Sequence, residues 1–387
     1  MDVKQIYSLV NSSIGEAIGK TDLVKEDLSN LVDVGNEVFS AKAVDNYVKT
    51  LVDRIGKLVF VSRPYKGFAP KVLMSAWEYG SVVEKISVDV ADAEESPTWK
   101  LEDGSVYEQD KFTAPNVSVK FFNSKTTFEI PLSITDEQIK ESFASGYEMN
   151  RFLESIYTKM QNKMTLAFEQ KVMLTIDNAI AETIYADYGT ADLGSKSTIR
   201  SVNLLKLYND TMGTTLKKAK ALYDKDFLRF AGTIIKRYIT RLSTESTLFN
   251  VGGQKRFTPK DLLHVVLWGD YASASASYLE SDTYHNELVA LPNYDEVPYW
   301  QGTGTSYEKA GQISVKTSTG HEVAVTGDIL AVLFDRETLG VCNDRQRTPM
   351  HRNEHAEFVN LWYKADCSYF NDLNENLVVF FIQDAKA

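Results

Sequence analysis

Residues 351–355 read H-R-N-E-H, the H-x-x-E-H spacing that on a helix offers two histidines to Zn²⁺ with a glutamate between them as base. That chemistry needs His351 and His355 on one helical face, Glu354 beside them and a third ligand downstream, for which Glu357 is available. The surroundings point elsewhere. Pro349 precedes the motif and the A-E-F-V-N-L-W-Y that follows is β-rich, so two solvated histidines in a loop are expected. His264, His285 and His321 are dispersed and form no Ser, Cys or Asp triad pattern. Gly302 and Gly304 in Q-G-T-G-T lack the further glycine and the preceding strand of a phosphate-binding loop, and read as a turn. Cys342 and Cys367 fit neither a zinc spacing nor a disulfide framework and are expected as reduced thiols. Lys217, Lys218 and Lys220 on a helical stretch, and Arg345, Arg347 and Arg352 in a loop, read as solvated faces. No catalytic, cofactor or metal constellation emerges, and a non-enzyme is expected.

Composition narrows the classes further. The chain has 387 residues, 43 % hydrophobic and 25 % charged, which suits a folded protein with a sizeable core. Fifty-three acidic residues against 42 basic ones give a net charge of −11, which argues against a broadly basic nucleic-acid-binding face. The first residues, M-D-V-K-Q-I-Y-S, show no signal peptide, and the late apolar run from Leu377 to Ile382 is far short of the roughly 20 residues that cross a bilayer. Residence in the cytoplasm is expected.

The elements that must carry any function come in mixed order. Residues 1–35 hold apolar positions at loose helical spacing (Ile6, Leu9, Val10, Ile14, Ile18) and predict one or two marginal helices, suited to a rearranging arm. Val48, Leu51, Val52, Ile55 and Leu58 predict an amphipathic helix over 44–58. Ile86 and Val88 alternate with Lys85, Ser87 and Asp89, and Val117, Val119 and Phe121 with Ser118 and Lys120, predicting half-exposed strands over 82–90 and 116–130. The 24 residues between them, 92–115, carry seven acids against Lys100 and Lys111, yet keep Trp99, Leu101, Val106, Tyr107 and Phe112. Long loops are uncommon in compact domains, and a disordered acidic linker would hold fewer such residues. We read an arm that lays these five side chains on a neighbouring subunit, with a surface hairpin and loose tip as the alternative.

Thr135 and Gln138 in T-D-E-Q form a capping-box pattern, with Asp136 and Glu137 in the first turn. Gly146 is expected to break or bend the helix that starts there. From Glu148 to Ile184 a run free of Pro and Gly has one broad apolar face and predicts a strut roughly 55 Å long. Beyond Gly189, short helices are expected near 202–207 and 215–223, buried strands at 265–268, 329–334, 358–370 and 377–382, and a hairpin over 313–325. The last strand is expected to close a sheet.

In this order the elements resemble the major capsid proteins of tailed bacteriophages, the Hong Kong 97 type fold, an α+β class. The wording I-L-A-V-L-F-D-R-E-T-L-G-V from Ile329, with E-F-V-N-L-W-Y-K-A-D-C-S-Y-F-N-D-L-N-E-N-L-V-V-F after it, is the most specific part of the likeness. The resemblance implies an N-terminal arm over 1–35, the start of a peripheral P-domain at 36–64, an E-loop at 65–130, the P-domain spine helix within 131–200, an axial A-domain at 201–332, P-domain strands at 333–376 and a returning strand at 377–387. It further implies pentamers and hexamers closing an icosahedral virion head assembled in the host cytoplasm, a procapsid that matures, a separate scaffolding protein and a portal as partners, a decoration protein as an optional one, and packaged double-stranded DNA held by weak non-specific contact. An encapsulin-type nanocompartment shell and a zinc peptidase built on 351–355 are the alternatives.

Overall fold

The computed structural model describes residues 3–19, 23–40, 43–51, 72–74, 83–89, 93–107, 110, 112–280, 294–300, 311–317 and 320–385. The chain opens with helices α1 (Val3–Ile18), α2 (Leu31–Ser40) and α3 (44–51). Their sparse apolar positions suffice to bury Val10, Ile14, Val34, Val38, Tyr47, Val48 and Leu51 in the main core. This opening segment is packed against the body. Gly35 lets α2 come close: a Cβ there would sit 2.5 Å from the Phe143 ring. The rest of the expected 44–58 helix, residues 52–58, lies outside the described residues.

Two sheets follow from the strand pattern. The first is centred on β13 (Phe358–Asn371). One edge of β13 pairs antiparallel with β4 (Lys125–Thr135), in register from Thr135 opposite Phe358 to Lys125 opposite Ser368. The other edge is shared end to end by β11 (Leu339–Arg347) and β12 (Met350–Asn353), and β1 (Leu73–Met74) runs parallel outside β11. The expected 116–130 strand is in fact two strands, β3 (Asn116–Phe122) and β4, broken at 123–124; β3 pairs with β2 (Val83–Asp89) away from this sheet. On β4 the alternation turns Phe128, Ile130, Leu132 and Ile134 inward.

The second sheet has the order β5 (Ser201–Asn203), β14 (Leu377–Ile382), β10 (Asp328–Asp335), β6 (Leu263–Trp268), β7 (Asp295–Val297). β14 is buried at every position and lies between two neighbours, so the expected closing strand is an interior one. A continuous apolar run reports burial of both faces but not lateral position. The hairpin β8 (Ile313–Lys316) and β9 (Glu322–Val325) forms as expected. Helices α6 (Leu204–Met212), α7 (Lys218–Ala221), α8 (Lys225–Leu242) and α9 (Gly269–Glu280) complete this half. The helix expected at 202 starts only after β5, the one expected over 215–223 is the single turn α7, and α8 and α9 are additional to the expected elements. No helix among the described residues is long and apolar enough to cross a membrane.

A long helix joins the two sheets. The capping box at Thr135 is formed, the Gln138 N–H donating to Thr135 Oγ1 at 3.3 Å and the Thr135 N–H to Gln138 Oε1 at 3.2 Å, which starts α4 (Asp136–Ser142). The chain then turns, and Ser145 Oγ accepts from the Glu148 N–H at 3.2 Å to start α5 (Gly146–Tyr188). The break falls at 143–145, one residue ahead of the expected position, and Gly146 opens α5 rather than interrupting a helix. With 43 residues α5 is about 65 Å long. It ends where Gly189 takes φ 56°, a conformation that costs a residue with a Cβ. Its inner side packs on β4, β11 and β13 of the first sheet and on β5, β14, β8 and β9 of the other half. Asp177 sits on that side, 4 % exposed, and burial pushes its carboxyl well above the ordinary carboxylate range.

Arg352 fastens the opening helices to this frame: from β12 its Nη1 donates to Asp45 on α3 at 2.7 Å and its Nη2 to Asp136 on α4 at 2.7 Å. These are charge-assisted bonds in a fork geometry that lysine cannot reproduce. Arg352→Ala is expected to lower unfolding free energy by about 1.5–3 kcal/mol in denaturant titration, with Arg352→Lys recovering only part. Because a raised carboxyl value in the folded state costs stability as pH rises past the unfolded aspartate value of about 4, Asp177→Asn is expected to stabilise the chain at pH 7. The gain should vanish below about pH 4 in the same titration.

Candidate assembly interface

The feature that no core explains is the two-stranded arm β2–β3. Its register sets Ile86 opposite Val119, Val88 opposite Val117 and Glu84 opposite Phe121, so the pleat collects five apolar residues on one face. That face is the wet one. Ile86, Val88, Val117, Val119 and Phe121 are 43–64 % exposed. The alternation expected from sequence is correct, but it is the polar face that meets the body.

The polar face carries Lys85 and Lys120 directly across the ladder, and Ser87 and Ser118 with hydroxyls 2.6 Å apart. Like charges opposite one another destabilise a strand pair unless something neutralises them. Here the turn before β14 does so. Lys85 Nζ lies 2.7 Å from Glu375, 3.1 Å from Asp372 and 3.4 Å from Glu337, and Lys120 Nζ donates to Asp372 at 3.0 Å. Asp372 is 2 % exposed and also accepts the Asn374 N–H at 3.1 Å, while Glu375 accepts from Arg256 Nε at 3.2 Å. Burial alone would raise the Asp372 carboxyl; the bond from Lys120 and the charge of Lys85 outweigh it and hold the group below the ordinary aspartate value. Burial would likewise lower the Lys85 ammonium, yet the bond to Glu375 and the charges of Glu375 and Asp372 hold it above its ordinary value. Asp335, near the same acids, goes the other way: burial raises it, and Glu375 and Glu337 add to the rise. Phe122 adds an apolar contact beside this anchor, its ring 5.1 Å from Phe370. The sequence N-D-L-N-E-N signals a turn, but the pairing of its acids with Lys85 and Lys120 across more than 250 residues carries no local signal.

Beyond the strands, the acidic tip keeps its apolar residues in water. Trp99 is 95 % exposed, Leu101 65 %, Val106 92 %, Tyr107 41 % and Phe112 89 %. Trp99 ends a 3₁₀ turn (Pro97–Trp99), and Tyr107 Oη accepts the Glu102 N–H at 3.0 Å, which shapes the tip locally. Lys100 and Glu95 pair at 3.7 Å with both side chains almost fully exposed, a contact of little energetic weight. Asp92, Glu108 and Lys111 lie outside the described residues.

The remaining candidate residues are placed apart. Residues 350–353 form strand β12 and 354–357 a turn, so His351 and His355 do not share a helical face, and both are exposed. The spacing required for the zinc reading is therefore broken by local structure. Arg347 and Arg352 stand in strands rather than in the expected loop, Arg347 paired with Asp366. His264 is buried beside Phe334 and His321 stacks on Tyr185. His285, Gly302 and Gly304 lie outside the described residues. Cys342 and Cys367 are buried and not joined in a disulfide. Lys218 pairs with Asp328 at 2.9 Å, whereas Lys217 and Lys220 are exposed. Among the described residues, no group of three or more His, Cys, Asp or Glu is placed to hold a metal ion.

A sequence model of the Phi29-like phage major capsid proteins matches residues 8–381, nearly the whole chain. The chain belongs to this family. Among capsid-family relatives, the major capsid protein of Bacillus phage GA-1 is 27 % identical over 198 residues, covering 48 % of this chain and 39 % of that protein. The major capsid protein of Bacillus phage B103 is 25 % identical over 190 residues, covering 48 % and 41 %. This chain thus spans about two fifths of the length of the curated relatives it matches. In fold, it resembles a chain from the structure of the head fibre and inner core protein of native bacteriophage P68, with a TM-score of 0.51 at 12 % identity over 81 % of this chain and 83 % of that one. The mixed helix-and-sheet subunit is therefore a capsid-family fold.

In this capsid-family subunit the anchor has a defined pH window. The Asp372 contribution is complete above the unfolded aspartate value of about 4 and is lost as pH falls through its lower folded value; that of Lys85 is complete below about 10.4 and is lost as pH rises through its higher folded value. The arm should hold its angle across the neutral range and loosen in acid. Lys85→Met combined with Lys120→Met, which leaves the buried Asp372 without a cation and Glu375 with Arg256 alone, is expected to cost about 2–4 kcal/mol. It should also accelerate amide exchange in 83–89 and 116–122 more than in β13.

Proposed function

We propose that this chain is the repeating subunit of an icosahedral phage head, assembling as pentamers and hexamers around double-stranded DNA. The observation that carries this reading is the arm: five strand residues and five tip residues of apolar or aromatic character stand in water on an extended element tied to the body by charge. A monomer gains nothing from that arrangement, since exposed apolar area of this extent marks a surface made for contact. A second copy supplies the missing cover. Trp99, Leu101, Val106, Tyr107 and Phe112 are assigned to the contact with a neighbouring subunit, and family membership supports the assignment.

On the same reading, residues 65–130 act as the E-loop, α5 as the spine of the P-domain within 131–200, 201–332 as the A-domain and 1–35 as the N-terminal arm. On it too, 333–376 supplies P-domain strands and 377–387 a C-terminal strand returning to the core. Assembly in the host cytoplasm with a separate scaffolding protein and a portal, followed by maturation of a procapsid, completes the proposal; the role is structural rather than catalytic. Encapsulation of protein cargo in place of DNA is the outcome that would favour a nanocompartment shell.

Negative-stain microscopy of the expressed chain, alone and together with the products of the neighbouring reading frames, tests this directly. Closed shells or capsomers are expected. Deleting 92–115 should leave a folded chain, by circular dichroism and thermal melting, that sediments as a small species. Normal shells from the deleted chain would remove the role assigned to the arm, and small monomers from the intact chain in every condition would remove the capsid reading.

A further inference from the structure

The chain carries net charge −11, yet one helix has the opposite sign. α8 contains Lys225, Arg229, Lys236, Arg237 and Arg241 against the single acid Asp226. Its geometry sorts them sharply. Phe227, Leu228, Ala231, Ile234, Ile235, Tyr238, Ile239 and Leu242 are buried, occupying one side of the 3.6-residue repeat. The opposite side holds the five cations with Thr233 and Thr240, and of these only Lys236 is not fully classed with the exposed residues, being half-buried. From residue 225 to 241 the stripe runs about 24 Å, a length beside which duplex DNA presents roughly 14 phosphate charges at one per 1.7 Å. Lys217 and Lys220, exposed just before the helix, extend the same sign.

We infer that the outer face of α8 is a binding surface for the phosphate backbone of duplex DNA, and so is the part of the subunit that faces the packaged genome. This rests on the phage-head reading, which brings duplex DNA next to the subunit. The competing occupant within the chain is the acidic tip of a second copy. That tip also has to cover Trp99, Val106 and Phe112, and the exposed positions of α8 are Lys, Arg, Thr and Asp, with Phe230 only half-exposed. A linear polyanion needs no apolar cover. A helix face with five cations, two hydroxyls and one acid matches it in charge. The contact is independent of base sequence, because phosphate contacts position a duplex without reading it. Its confinement to one helix on an acidic subunit keeps it weak for each copy.

The test is duplex affinity of the purified full-length chain, measured by fluorescence anisotropy with a 40-base-pair probe between about 25 and 200 mM salt, a range in which counterion release dominates. Arg229→Gln, Lys236→Gln, Arg237→Gln and Arg241→Gln combined should reduce the slope of log affinity against log salt by about 3 to 4 and weaken binding more than tenfold at low salt. Lys25→Gln combined with Lys49→Gln, neutralising exposed lysines elsewhere, should leave both unchanged. Equal loss in the two variants, or no loss in either, would overturn the assignment. So would a fourfold variant that binds duplex normally but no longer forms shells, which would make α8 a subunit contact. Loss of duplex binding on α8 in a chain that forms no shells under any condition would sustain this inference and remove the head reading instead.

Discussion

Two sheets that share no strand are held in one subunit by the buried side of α5. Val172, Met173, Ile176, Ala179, Ile180, Ala181 and Ile184 are almost wholly enclosed there, facing the sheet around β13 and the sheet around β14 along successive turns. A helix of ordinary length, about 11 residues, would reach one sheet only. The length of α5 is thus a condition for the rest: it sets the spacing of the two halves, and both the arm and the opening helices are placed relative to it. The cap at Ser145 is equally necessary, because it fixes where the long helix leaves the short one and therefore the angle at which β4, α4 and α5 meet.

The arm obeys an inverted rule. A docked hairpin ordinarily turns its apolar side inward, and five such side chains are worth about 1.5–3 kcal/mol each when fully buried. Here that energy is left unrealised within the subunit, and the strands are held instead by Lys85 and Lys120 on Asp372 and Glu375. Ion pairs with a nearly buried carboxylate are a directional fastening: they fix the arm's angle without using its apolar face. An element fastened in this way can offer the same face to another surface at no cost to its own attachment.

How far the sequence could reveal this depended on whether each signal was local. The breaks around residues 135 and 146 were legible, because capping is chemistry between a side chain and backbone three residues away. The alternation in β2 and β3 told which residues share a face but not which face is wet, since the deciding partners, Asp372 and Glu375, are remote in sequence. The H-x-x-E-H spacing was ambiguous for the same reason: Arg352, the member of that segment with a structural duty, is defined by Asp45 and Asp136 on other elements. α8 was harder to read because Gly232 and the β-branched Thr233, Ile234 and Ile235 interrupt its helical character, and only burial against α6, α9 and Phe380 of β14 resolves the pattern. β14 showed its burial plainly and its central position not at all.

The charge distribution ties these observations together. At net −11, copies of the subunit repel one another, and at physiological salt that repulsion is screened beyond about 8 Å. On the proposed reading, contact between copies comes from short-range apolar burial of the arm and tip rather than from long-range attraction. The same excess acts against binding a polyanion except where cations are concentrated, and among the described residues the outer face of α8 is one such place. If α8 lines the interior, an acidic wall with a single basic stripe per subunit would hold DNA in many weak, equivalent contacts, each of them reversible. A uniformly basic wall would bind the first length of duplex so tightly that further DNA would have to move against it. On that reading, an apolar arm and a basic face on α8 within an acidic chain separate the forces that close the shell from those that touch its contents.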